Sequence, residues 1–187
     1  MEELYEQEEE GEPQPVLSPP PVIEHPPSKP ELVTIELEIH KLVNTERKKA
    51  GLQELQYDDT LAEIAKTHSI DMSPAGRHFY DSDKRVNPLY RDCPYPNHHT
   101  NPDGLNSVNR ARNAGYTGWT YYGENLLYYQ NTNLNKMPKQ EIAQKIMYGT
   151  KGWWNSPSHR KNILSPNFNR EGLGIYVYGD TVWATQL

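Results

Sequence analysis

Cysteine is almost missing from this 187-residue chain. Cys93 stands alone, so no internal disulfide holds the fold and the redox compartment cannot be read from bridges. Long hydrophobic runs are missing too. No stretch approaches the roughly 18 apolar residues that cross a bilayer, so no transmembrane segment is expected, and no apolar signal-peptide core follows Met1. Positive charge is in deficit: 19 Lys and Arg against 25 Asp and Glu leave a net charge of −6. With no basic stripe to attract phosphates, nucleic acid is excluded as a partner. A Gly-rich loop of phosphate-cradling spacing is likewise absent. Phe is scarce at 2 residues, whereas Tyr numbers 13 and Trp 4. That bias favours aromatic surfaces that stay partly wet, because phenol and indole groups need polar partners.

Hydrophobic residues make up only 35% of the chain, and the deficit is concentrated in residues 1–30. This stretch opens with Glu2, Glu3, Glu6, Glu8, Glu9, Glu10 and Glu12, then carries Pro13, Pro15, Pro19, Pro20, Pro21, Pro26, Pro27 and Pro30. Such an acidic, Pro-rich composition favours an extended, solvated tail or spacer. Residues 31–187 are expected to form one domain.

Within that domain, Ile35, Ile39, Leu42 and Val43 recur as the apolar stripe of a helix over 31–49, ended by Gly51. A second helix is expected over 60–72, started by Asp59 or Thr60, with Thr60 and Glu63 as a capping box. Leu61, Ile64, Ala65 and His68 share one of its faces, His68 as a packing histidine. Residues 73–101 read as a long irregular loop. A short helix over 105–114 follows, then a strand-like region through Tyr121, Tyr122, Leu126, Tyr128 and Tyr129. Pro138 marks the first turn of another helix, with Ile142, Ile146, Met147 and Trp153 inward. Leu173, Ile175 and Val177 alternate with Gly174, Tyr176 and Tyr178 before a Gly179–Asp180 turn, and Val182, Ala184 and Gln186 continue the period beyond it. This is a β-hairpin pattern. Helices interleaved with antiparallel strands make a layered α/β domain.

Several segments fit one known pattern: residues 42–72 (LVNTERKKAGLQELQYDDTLAEIAKTHSIDM), 99–116 (HTNPDGLNSVNRARNAGY), 121–126 (YYGENL), 153–164 (WWNSPSHRKNIL), and GLGIY with VWATQL near the end. In this order and spacing the chain resembles the CAP superfamily of cysteine-rich secretory, antigen 5 and pathogenesis-related 1 proteins, in particular its prokaryotic SCP-like members. The resemblance implies an α+β fold, an α–β–α sandwich with a central, mostly antiparallel sheet. It also implies an extracellular or cell-surface location.

The resemblance further implies a cleft formed by His99, Glu124 and His159, with Ser156 where many eukaryotic members carry a second acid. His78 and His98 compete with His99 for the first histidine position, since the loop before it is long. Two imidazoles and a carboxylate suit zinc or another divalent metal, although no cofactor is required. The separations of 25 and 35 residues mean that only the fold can gather them. Without metal, the trio is a titratable pocket for an anionic or hydroxylated ligand. Ser156 and Ser158 are ordinary turn or capping hydroxyls rather than nucleophiles. Asn125 and Asn162 read as backbone locks, Arg160 as a loop or salt-bridge residue, and Trp153, Trp154 and Trp183 as packing.

The leading expectation is a ligand-binding or interaction module, more a binder than an enzyme, taking a small-molecule, lipid or protein ligand. The alternatives are a metal-dependent hydrolase of peptide or cell-wall substrates, and a structural subunit of a surface assembly. In the last case homo- or hetero-assembly would run through the Tyr-rich surface.

Overall fold

Thr34 sets where the first helix begins. Its backbone is extended and its hydroxyl accepts a hydrogen bond from the Leu37 N–H at 3.1 Å, so α1 spans Ile35–Lys49. The helix expected from about Glu31 thus begins at Ile35, after this cap. The computed structural model describes residues 34–73 and 98–187. The tail, Cys93, His78 and most of the loop expected over 73–101 lie outside the described residues. The chain divides into two units, Met1–Leu32 and Val33–Leu187, and the second holds every element named below.

Helix α2 spans Asp59–Asp71 and is capped one residue earlier than expected, by Asp58. The Asp58 carboxylate accepts from the N–H groups of Thr60 and Leu61 at 3.0 and 3.1 Å. It also accepts from the Tyr116 hydroxyl at 3.1 Å and from Arg170 at 3.0 Å. Burial alone would raise its pKa, but these donors outweigh burial and lower it. Helix α3 spans Ser107–Asn113 under an Asn106 cap, and Gly115 follows it at φ +78°. That left-handed angle suits a residue without Cβ.

Strand β2 spans Asn125–Gln130, so Tyr121 and Tyr122 belong to the preceding loop and not to the strand as expected. Helix α4 spans Lys139–Tyr148 with Pro138 at its cap, and α5 spans Pro157–Ile163. The hairpin forms as β4 (Leu173–Tyr178) and β5 (Thr181–Gln186) around Gly179. With β2 they make an antiparallel sheet in the order β2-β5-β4. A short parallel pair, β1 (Gln56–Tyr57) with β3 (Arg170–Glu171), lies outside it.

Each face of the sheet carries its own helices, giving the α–β–α sandwich. On one face Ile39 and Val43 of α1, Ile146 and Met147 of α4, and Trp153 pack with Ile175, Val182 and Ala184. On the other, Leu61, Ile64 and Ala65 of α2 cluster with Ala111 and Leu187. His68 is fully buried, as a packing histidine should be, and its Nε2 meets the His98 carbonyl at 2.7 Å. Val177 is exposed, on an edge strand one pair from the hairpin turn.

One buried cation fastens the ends of this assembly. Arg47, 1% exposed, donates to the carbonyls of Gln53, Ile163 and Ser165 at 2.8 Å and of Phe168 at 3.1 Å. It thereby joins α1 to the end of α5 and to the segment entering β3. On the opposite face α2 rides directly on β4, where the Ser69 hydroxyl donates to the Gly174 carbonyl at 2.7 Å. A Cβ on Gly174 would run into the backbone of Ala65 and Lys66. Gly174→Ala is expected to lower unfolding stability by about 3 kcal/mol, at the upper end of overpacking costs. Urea denaturation checks this, and a loss below about 1 kcal/mol would contradict such close packing.

Candidate functional site

The short turn before α3 presents the first histidine. Asn101 accepts from the N–H groups of Asp103 and Leu105 at 3.1 and 2.9 Å, a side chain closing its own turn. A bridge between Thr100 and Asn106 closes the same loop. Arg110, on the inward side of α3, then grips the result. Its Nη1 donates to the carbonyls of His99 at 2.9 Å and Leu105 at 3.1 Å, while its Nη2 donates to Glu124 Oε2. The two side chains of this salt bridge are 6% and 3% exposed.

Glu124 stands immediately before β2, and its other oxygen is engaged as well. His99 Nδ1 lies 2.8 Å from Glu124 Oε1, with the imidazole largely open to solvent. Amides fix the remaining corner. Asn125 donates to the His159 carbonyl at 3.1 Å and to Gln186 Oε1 at 2.8 Å. Asn162 donates to the Glu124 carbonyl at 3.3 Å and to Asn125 Oδ1 at 2.8 Å. Both asparagines are thus the backbone locks expected of them, and together they bind α5, which carries His159, to the start of β2.

His159 is half-buried, and its Nδ1 is buried without a hydrogen-bond partner. Burial first, and then the neighbouring His99, lower its pKa from 6.5 and favour the neutral ring. The Tyr122 hydroxyl beside the site is also buried without a partner. Burial, followed by the charge of Glu124, raises its pKa and keeps the phenol protonated.

The structure therefore joins His99 to Glu124 directly and sets His159 within electrostatic reach of His99. His98 is exposed and turned to a different partner through its carbonyl. Ser156 occupies the cap position of α5, but its hydroxyl makes no cap bond and pairs with Ser158 at 3.1 Å. Arg160 holds the loop through the Trp154 carbonyl at 3.3 Å and stacks over the Trp154 ring. Among the described residues, no three His, Cys, Asp or Glu side chains gather closely enough to hold a metal ion.

Sequence reasoning misses Arg110. A signal for it exists: in the short helix SVNRARN it sits next to Ala111, on the side that faces the core, and a buried cation requires an acid. Glu171 and Gln186 escape as site supports for a different reason. Their partners come from elements far apart in the chain.

A CAP family model, described as the cysteine-rich secretory protein family, matches residues 40–187, and the chain belongs to that family. The family is associated with extracellular and cell-surface proteins. The uncharacterized protein YkwD of Bacillus subtilis (strain 168) is 31% identical over 151 residues, 81% of this chain and 46% of that protein. The chain thus spans about half the length of this curated relative. Among solved structures, an extracellular protein containing a SCP domain from Bacillus anthracis str. Ames matches at TM-score 0.50 and 24% identity, covering 82% of this chain and 40% of that one. An outer surface protein from Borrelia burgdorferi matches at TM-score 0.50 and 14% identity, covering 82% of this chain and 93% of that one. At these identities both are likenesses of fold.

The electrostatics of the site can be tested at two residues. Arg110→Met leaves Glu124 buried without its cation and is expected to cost about 3–5 kcal/mol. Adding Glu124→Leu should recover most of that loss in urea denaturation, whereas equal losses in the single and double variants would contradict a buried pair. For His159, the unfolded ring takes up its proton near pH 6.5, before the folded ring does. Its contribution is therefore complete above about pH 6.5 and is lost as pH falls toward the depressed folded value. His159→Gln should flatten the stability profile below about pH 6.5, and an unchanged slope would contradict the assignment.

Proposed function

We propose that this chain is an extracellular ligand-binding module whose cleft recognises an anionic or hydroxylated group through His99 and His159. The observation that carries the proposal is the engagement of Glu124. One carboxylate oxygen is taken by Arg110 and the other by His99, so the acid works as an anchor for the recognising histidine. A general base needs an acceptor aimed at the proton it removes. In this arrangement both Glu124 oxygens are already engaged, one of them by a guanidinium, and the hydroxyls of Ser156 and Ser158 turn to each other. These features favour a binder over a hydrolase. The His99 ring, held at Nδ1 and open to solvent, offers its second nitrogen to a ligand.

A second reading has one observation in its favour. His159 is kept neutral, the form that ligates zinc, and its buried Nδ1 lacks a partner. The donor set as arranged does not fit a divalent ion, because the carboxylate is already matched by a guanidinium that would repel a second cation. Holding a metal would require Glu124 to release one of its two partners.

Imidazole C–H NMR signals separate the readings. In chelator-treated solution at about pH 6, where histidines change charge, inorganic phosphate should shift the His99 and His159 signals saturably. His99→Gln should weaken that binding about tenfold, the loss of roughly 1.4 kcal/mol. No shift until zinc is added, with one zinc taken up per chain and lost in both His99→Ala and His159→Ala, would replace the proposal with the metal reading.

A further inference from the structure

A second enclosure lies beside the cleft. It is a cavity of about 640 Å³ between the loop over 116–123 and the segment over 167–171, inside the range of about 300–1,000 Å³ usual for small-ligand sites. Neither His99 nor His159 lines it. The cavity shares with the cleft Glu124, Asn125, Asn162 and the supports Tyr122, Glu171 and Gln186, but neither recognising histidine, so the two readings can be tested apart.

The charged groups in its walls already hold partners. Glu124 is paired with Arg110, and Arg170 with Asp58 at 3.0 Å. Glu171, 1% exposed, meets His40 Nδ1 at 2.5 Å with one oxygen and accepts from Gln186 Nε2 at 2.5 Å with the other. An ion entering the cavity would find every charged side chain in its walls already bonded to another group, so much of its desolvation would go uncompensated. The occupant that fits is neutral.

The hydrogen-bonding capacity left over is mixed. Gln186 retains one amide hydrogen, since Nε2 donates only to Glu171 and Oε1 accepts from Asn125. The Glu171 carboxylate retains lone pairs, and Asn162 Oδ1 is an unused acceptor because only its amide nitrogen is engaged. Donor and acceptors line one cavity, and the group that satisfies both kinds with one atom is a hydroxyl. A hydrocarbon chain would leave these polar atoms desolvated and unanswered, at a cost of about 1–3 kcal/mol each.

The mouth is aromatic. Trp119 and Tyr122 stand 5.0 Å apart at 43°, Phe168 lies against Gly123, and Tyr121 is 57% exposed at the rim. Flat rings here meet a ligand's C–H face, while the amides and carboxylate behind them meet its hydroxyl edge. We propose that this cavity binds a neutral sugar unit of an oligosaccharide, the chemical class that carries both faces on one ring.

Nitrogen-15 NMR with cellotetraose and with triacetylchitotriose tests this on the intact chain. At least one of the two sugars should saturably shift the Trp119 indole and Gln186 side-chain amide signals while the His99 and His159 ring signals stay in place. Tyr121→Ala, a change at an exposed position, should weaken that binding about tenfold with the rest of the spectrum undisturbed. Three outcomes overturn the proposal: neither sugar moves these signals, the shifts fall on His99 and His159 instead, or triglycine binds the same residues equally well. The phosphate response of the cleft is read from different signals, so either reading can fail alone.

Discussion

A carboxylate that is 3% exposed requires a cation, and for Glu124 that cation is Arg110. Removing both ions from water costs several kcal/mol each, and only close pairing with further hydrogen bonds offsets it. Arg110 supplies those bonds by also holding the carbonyls of His99 and Leu105. The pair thus does more than neutralise charge. It fixes the turn that presents His99 against Glu124, just before β2, and the proposed recognition surface takes its shape from that junction. The same pairing explains why a site resembling a ligand set for metal stands here as an anchored acid with two imidazoles.

Behind the junction runs a continuous line of polar side chains, buried at Asn125, Gln186 and Glu171 and half-buried at its ends. It passes from Asn162 to Asn125, Gln186, Glu171 and His40, and His40 Nε2 ends it 3.3 Å from Asn44. Asn44 in turn brackets Leu55, accepting from its N–H at 2.7 Å and donating to its carbonyl at 3.0 Å. Each of these links is made, and in a low-dielectric interior a connected network of this kind favours one arrangement over its alternatives. Arg47 does similar work on the same side of the molecule with carbonyls as its partners. The cleft and the neighbouring cavity therefore rest on a polar frame that reaches back to α1, and not only on the apolar packing of the sheet.

How much of this was legible follows the range of each interaction. The stripe of α1, the inward residues of α4 and the hairpin around Gly179 depend on local period and turn chemistry, and those patterns placed them. The family motifs located His99, Glu124 and His159 although no local spacing connects them. Boundaries slipped where a side chain elsewhere decided them. Asp58 caps α2 in place of Asp59 or Thr60 because Tyr116 and Arg170 also draw its carboxylate in. Tyr121 and Tyr122 carry strand-like composition, yet pairing with β5 begins only at Asn125. Arg110 stayed hidden because a charged residue on a short polar helix looks solvated until its acid, 14 residues on, is brought against it.

The central claim is that Arg110 holds Glu124 as a permanent anchor, and the guanidinium itself reports on it. Side-chain NMR of Arg110 at neutral pH should show separate, slowly exchanging Nη–H signals, since both Nη groups are fixed and buried. Glu124→Gln should then shift the Nη2 signal while the Nη1 signal, bound to carbonyls, moves less. A single exchange-averaged Nη signal indifferent to Glu124→Gln would contradict the account.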